Sequence, residues 1–403
     1  MKKKLLFSIM LLSLYCSSRA QHSTNSPYSM MGLGEINTET YGHLSGMANS
    51  GVGFRMPGLL NFSNPAAPAV DSLSFLFDIA MSGNIAQYSN ADVKEYATNF
   101  NVRKVAVGVR LYPRLTAAAG ILPFSSVQYR VSTENYIEGS SDKQYVFYEG
   151  SGGLSRLFLN VSYKLTANLS AGVSASYLFG RINRKESITT QSVTNATEVD
   201  KFLAEFGLMY VKNIADGTTL SAGATYSYRN KIAMKQYHSN TISGQTNTKT
   251  TAYTWLPQTF GAGAALQNMA KRSYRSLSVD YRFGNWSAIT SPDSRMRYVN
   301  NHRISAGAAY VPNYRTPRTY FQRVQYQAGV YYAASNMIIG GNTLTEKGIT
   351  AGLVFPLKNS QTQLFLSADA GRKSGDMLIG ENYVKVNFGV SINQQWFMKW
   401  FYD

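Results

Sequence analysis

Few residues in this chain have the types and spacing that chemistry requires. Its four histidines are His22, His43, His238 and His302. None lies at metal-ligand spacing, and neither HExxH nor His-x-His occurs. A hydrolase needs a histidine beside a nucleophile with a third group to orient it. Ser239 adjoins His238, but adjacency in sequence does not make a triad. The single cysteine, Cys16, lies in the N-terminal segment. Catalytic, metal and cofactor sites are therefore assigned to no residue, and the chain reads as a non-enzyme.

A second set of polar residues is more informative. Asp78, Glu205, Asp280 and Asp369 each fall within an apolar–polar alternation, with Arg103, Arg110, Arg282 and Arg303 as possible opposites. Charges in a membrane-spanning strand must point away from lipid, where each costs a few kcal/mol at the midplane. Asp78, Arg110, Glu205, Asp280, Arg282 and Asp369 are therefore expected to face a lumen. Such charges either brace the lumen or form a path for a polar or amphiphilic solute.

The elements positioning them are strands. Leu169, Ala171, Val173, Ala175, Tyr177 and Phe179 share one face, opposite Ser170, Gly172, Ser174 and Ser176. Leu277, Val279, Tyr281 and Phe283 likewise oppose Ser278, Asp280, Arg282 and Gly284. Extended along the chain, this period predicts strands at 73–88, 100–112, 115–137, 153–165, 168–187, 200–211, 218–238, 251–266, 275–288, 301–311, 323–339, 348–357, 362–372 and 382–393. Short links such as Pro113-Arg114 and Thr166-Ala167 alternate with long polar ones such as 140–152 and 239–249. The expected fold is all-β: a transmembrane antiparallel barrel of about fourteen strands with an N-terminal lumenal hatch. A soluble all-β repeat protein would share the alternation but has less reason for the uneven links.

The N-terminus supplies the compartment. Lys2, Lys3 and Lys4 precede an apolar run, Leu5 to Leu14, too short to span a bilayer, and Ser18-Arg19-Ala20 resembles a cleavage site. Lipidation at Cys16 is the alternative, although Tyr15 is bulky for a lipobox. The expected organisation is a signal peptide at 1–20, a hatch at 21–72 and the barrel at 73–403. The hatch segment does not alternate and is rich in Gly, Ser, Asn and Met; a leader outside the barrel is its simpler reading. The formal net charge is +17, with Lys2, Lys3, Lys4 and Arg19 in the leader. The basic residues are scattered, which points to lipid phosphates or anionic solutes and away from nucleic acid. Trp396, Phe397, Trp400, Phe401 and Tyr402 near the C-terminus suit a membrane-interface anchor or a docking tail.

Short motifs add a resemblance. Gly46-Met47-Ala48-Asn49-Ser50-Gly51-Val52-Gly53 resembles the hatch segment of the FadL-type outer-membrane hydrophobic-compound transporters. Asn64-Pro65-Ala66-Ala67 is similar to that family's motif before the first strand, and Leu256-Pro257 with Phe260-Gly261-Ala262-Gly263 to its Leu-Pro strand start. Ser26-Pro27-Tyr28-Ser29, Gly32-Leu33-Gly34 and the run from Ile392-Asn393 to Trp396-Phe397 resemble a Bacteroidetes-like subgroup. The resemblance implies a hatch carried by Gly46, Gly51, Gly53, Asn64, Pro65 and Ala66. It also implies a lateral gate at a kinked third strand, where Gly120 and Pro123 fall; an ordinary bulge is the alternative there. The expected function is passive uptake of hydrophobic or amphiphilic small molecules across the outer membrane of a Gram-negative cell. The alternative is a non-transport subunit or shuttle of a secretion or assembly complex, since fold does not settle function. Expected partners are outer-membrane lipid, a hydrophobic small molecule and protein subunits of such a complex.

Overall fold

The computed structural model describes residues 26–37, 41–68, 75–89, 94–136, 143–188, 191–240, 248–270, 272–289, 296–357, 362–376 and 378–394. The proposed leader and the aromatic C-terminal cluster lie outside the described residues.

Fourteen antiparallel strands close into one barrel. They are β1 (Phe75–Ser89), β2 (Lys94–Tyr112), β3 (Leu115–Ser126, resuming as Tyr129–Tyr136), β4 (Lys143–Lys164), β5 (Leu169–Ile188), β6 (Gln191–Ala215) and β7 (Thr218–Ser227, resuming as Asn230–Asn240). They continue as β8 (Thr248–Leu256, then Thr259–Met269), β9 (Tyr274–Gly284), β10 (Met296–Tyr298, then Asn301–Val311), β11 (Gln325–Ile339), β12 (Asn342–Pro356), β13 (Gln363–Ser374) and β14 (Gly380–Gln394). Closure comes from β14 pairing β1, from Gly380↔Ser89 to Gln394↔Phe75. A closed ladder leaves no sheet edge, which a strand structure in lipid requires.

The apolar face is the outer one. In β9, Leu277, Val279 and Tyr281 are 60 %, 55 % and 41 % exposed, whereas Ser276, Ser278 and Asp280 are buried inside. This inversion of soluble-protein burial is what lipid as solvent selects.

Several strands outrun their sequence expectations. The 140–152 stretch, read as a loop, largely belongs to β4, which begins at Lys143, and β6 runs from Gln191 where the alternation suggested 200. Apolar alternation marks only the part of a strand that meets lipid. The hydrogen-bonded ladder continues beyond it, and at the start of β4 apolar residues fall on both faces (Tyr145, Val146, Phe147, Tyr148), which leaves no apolar–polar period to read.

Among the described residues, two lapses of several residues on both strands interrupt the ladder. Pairing of β2 with β3 runs from Tyr112↔Leu115 to Val105↔Ile121 and then stops. Pairing of β6 with β7 lapses between Glu205↔Ser227 and Val199↔Met234.

Candidate functional site

The inner wall carries a belt of glycines: Gly172, Gly207, Gly223, Gly263, Gly307, Gly329 and Gly352. Residues 46–66 lie directly on it. A Cβ on Gly223 would sit 2.0 Å from the Val52 carbonyl oxygen, and one on Gly53 would sit 2.4 Å from the Gly263 carbonyl carbon. Backbone thus meets backbone, which only glycine permits.

Polar side chains then fix this segment. The Asp280 carboxylate accepts the Gly51 N–H at 2.6 Å and the Val52 N–H at 2.7 Å, two charge-assisted bonds to consecutive amides. Asn64 donates through Nδ2 to the Val52 carbonyl at 2.9 Å and to Leu208 of β6 at 3.0 Å, while its Oδ1 accepts the Ala66 N–H. Asn160 and Ser162 of β4 donate to the carbonyls of Pro65 and Ala66, Ser221 of β7 to Gly53, and Thr350 of β12 to Gly46. Asn61, which the sequence did not single out, donates to Gly51 and Phe54 and so folds the segment on itself. Irregular backbone at membrane depth has its polar groups satisfied by such donors and acceptors.

Around β3, Gly120 is paired on both sides, with Ala106 and Phe158, so the break does not begin there. It begins after Ile121, beside Pro123, which lacks an N–H for the ladder. Beyond it the N-terminal segment supplies partners. Glu35 and Ile36 pair with Ser126 and Ser125, Asn37 donates its N–H to the Phe124 carbonyl at 2.9 Å, and Gln128 bonds Ser29.

The expected lumenal charges divide into groups. Asp78 pairs with Lys104 at 2.6 Å, both buried. Glu205 meets Arg156 at 3.9 Å, and Asp280 meets Arg282 at 4.0 Å. Asp369 accepts from the Tyr331 hydroxyl at 2.8 Å. Arg110 does not join them; it lies near the end of β2 and donates to the carbonyls of Tyr112 and Pro113 at the turn.

Lys104 escaped the period-two reading because of a bulge. Ala80 pairs with Lys104 and Met81 with Val102, so Arg103 is the extra residue and both consecutive cations turn inward. Also unread was a cluster around Lys373, which pairs with Glu381 at 3.5 Å and with Glu35 of the N-terminal segment. Ser26 donates to Glu381 at 2.9 Å. Lys373 shares the phase of Asp369 along β13, the one signal that could have located it.

Above the segment lies a cavity of 340 Å³. Phe62, Phe124, Leu203, Leu256 and Trp286 give it an apolar side, and Arg156, Glu205, Arg282, Arg303, Glu346 and Lys373 a charged one. This pairing suits an amphiphile. His302 bonds the exposed Tyr281 hydroxyl and His238 bonds Asn195, so each histidine is engaged outside the cavity. Among the described residues, no group of three or more His, Cys, Asp or Glu side chains is placed to hold a metal ion.

Comparison with solved structures gives the same barrel. The Ralstonia pickettii toluene transporter TbuX superposes with a TM-score of 0.59 at 14% identity, over 88% of this chain and 99% of that one. A Pseudomonas aeruginosa FadL homologue gives 0.59 at 14% over 90% and 99%, and the P. putida toluene transporter TodX 0.57 at 14% over 90% and 100%. At such identities the likeness is one of fold. No curated protein matches the sequence. The BamG family model matches residues 1–403, and the chain belongs to the BamG family.

Proposed function

We propose that this barrel mediates passive uptake of a hydrophobic or amphiphilic small molecule across the outer membrane. Residues 26–37 and 41–68 act as a hatch, and the lapse between β2 and β3 acts as a lateral exit. The observation carrying this reading is that the β2–β3 ladder stops at Val105↔Ile121 while Phe124, just beyond the break, lines the amphiphilic cavity. A solute held there reaches lipid sideways without crossing the charged lumen below. The similar solved structures are described as toluene transporters and a FadL homologue, which supports this reading. Pro123→Ala tests it. A donor restored at residue 123 favours continuous pairing, so uptake of an apolar fluorescent probe should slow at equal surface expression and unchanged heat-modifiability. Uptake equal to wild type would overturn a gate that depends on Pro123.

A second reading rests on family membership: the chain serves as a fixed subunit of an outer-membrane assembly complex. A mild-detergent pull-down separates the two. Stoichiometric partner proteins, with no probe uptake by the purified barrel in liposomes, would favour the subunit.

A further inference from the structure

The second lapse in the wall lies between β6 and β7. Residues 200–204 and 228–233 have no register with one another, although the two strands are paired on either side. Both strands of the next hairpin break at one level, β7 after Ser227 and β8 around Pro257-Gln258, and Pro257 can donate nothing to a ladder. The upper halves of β7 and β8 stay paired, from Asn230↔Leu256 to His238↔Thr248.

This leaves an outward-opening pocket whose lining includes Tyr177, Phe202, Lys201, Arg229 and Lys231. Tyr228 and Asn230 line both this pocket and the lumenal cavity and so form the partition between them. Phe202 is 71 % exposed. The Arg229 guanidinium stacks 4.3 Å over Trp255 and donates to the Ala288 carbonyl at 3.0 Å, and the Lys231 ammonium lies 4.4 Å over Tyr253. The rings hold two cations in place without neutralising them. The pocket's carboxylate, Asp200, is already bonded to Lys235 at 2.9 Å. Among the described residues no ion pair engages Lys201, Arg229 or Lys231.

The level of the pocket selects the ligand. β7 rises from Thr218 at its short-turn end to the break after Ser227. At about 3.3 Å per residue and a tilt of about 40°, that ascent is roughly 25 Å, the height of a barrel's apolar band. The three cations therefore sit where headgroups begin, with aromatic surface directed toward the acyl chains.

We propose that this break is a binding site for an anionic, phosphate-bearing lipid of the outer-facing leaflet. Its headgroup is held by Lys201, Arg229 and Lys231, and its chain lies along Phe202 and Tyr177. The test is native mass spectrometry of the full chain in detergent, titrated with phosphatidylglycerol or with phosphatidylcholine of identical chains. Wild type should retain one phosphatidylglycerol in preference. Each cation contributes about 1 kcal/mol, or about fivefold in affinity, so the K201Q/R229Q/K231Q variant should bind roughly a hundredfold more weakly, with phosphatidylcholine unaffected. Heat-modifiability confirms that the variant is folded, and Lys201→Gln alone, expected to lose about fivefold, serves if the triple variant is not. Equal retention by a folded variant, or no preference for phosphatidylglycerol, overturns the proposal. Displacement by inorganic phosphate alone would make this a soluble-anion site and overturn the lipid assignment.

Discussion

Asp280 ties the N-terminal segment to the barrel wall through two bonds to one carboxylate. Its carboxylate is buried and accepts two consecutive amides, Gly51 and Val52, at 2.6 and 2.7 Å. A hydrogen bond to a charged group contributes about 1.5–3 kcal/mol. Asp280→Ala removes two such bonds and leaves two buried N–H groups without acceptors, but it also relieves the burial of a charge. The net loss is about 3 kcal/mol, roughly a hundredfold in the docking equilibrium. Asp280→Asn keeps one acceptor and should lose about tenfold. Arg55, which bonds Ser170 from within the docked segment, provides the readout. Trypsin cleavage after Arg55, followed by mass spectrometry in detergent, should accelerate in the order wild type, Asn, Ala. The barrel should stay heat-modifiable, because its ladders do not involve the Asp280 side chain. Cleavage at the wild-type rate in a folded Asp280→Ala barrel would refute the reasoning.

Three further outcomes follow from the same geometry. Gly223→Ala places a Cβ 2.0 Å from the Val52 carbonyl oxygen and should displace the segment, read as raised single-channel conductance with the barrel intact. Burial, reinforced by the ammonium of Lys104 beside Asp78, lowers His43 in the N-terminal segment from 6.5 to about 4. The undocked state then binds more protons between these values, so docking is fully stable above about pH 6.5 and weakens toward pH 4, by up to about 3 kcal/mol; His43→Gln should flatten the pH dependence of Arg55 cleavage. Lys373→Met leaves Glu35 and Glu381 without their shared cation and should cost about 3–5 kcal/mol in denaturant titration, part of which Lys373→Met/Glu381→Gln should restore.

Strand number, inside-out burial and a non-alternating N-terminal segment were all legible in the sequence. Each depends on local periodicity: Leu277, Val279 and Tyr281 declare a lipid face whatever the neighbouring strand does. Asp78, Asp280 and Asp369 each interrupt an apolar alternation and are buried on its opposite face. What period two cannot express was decided by tertiary structure. The bulge that turns both Arg103 and Lys104 inward exists only because β1 and β2 differ by one residue between fixed neighbours. The engagement of Asp280 with Gly51 and Val52 joins residues far apart in sequence, and nothing near either partner announces the other. The same holds for the Lys373 cluster, which draws Glu35 against β13 and β14. The first lapse lies beside Pro123, and Pro257 interrupts β8, one strand away from the second. A missing N–H opens a wall, however, only where the adjacent strand fails to follow the bend, and that depends on how the closed barrel distributes its strain.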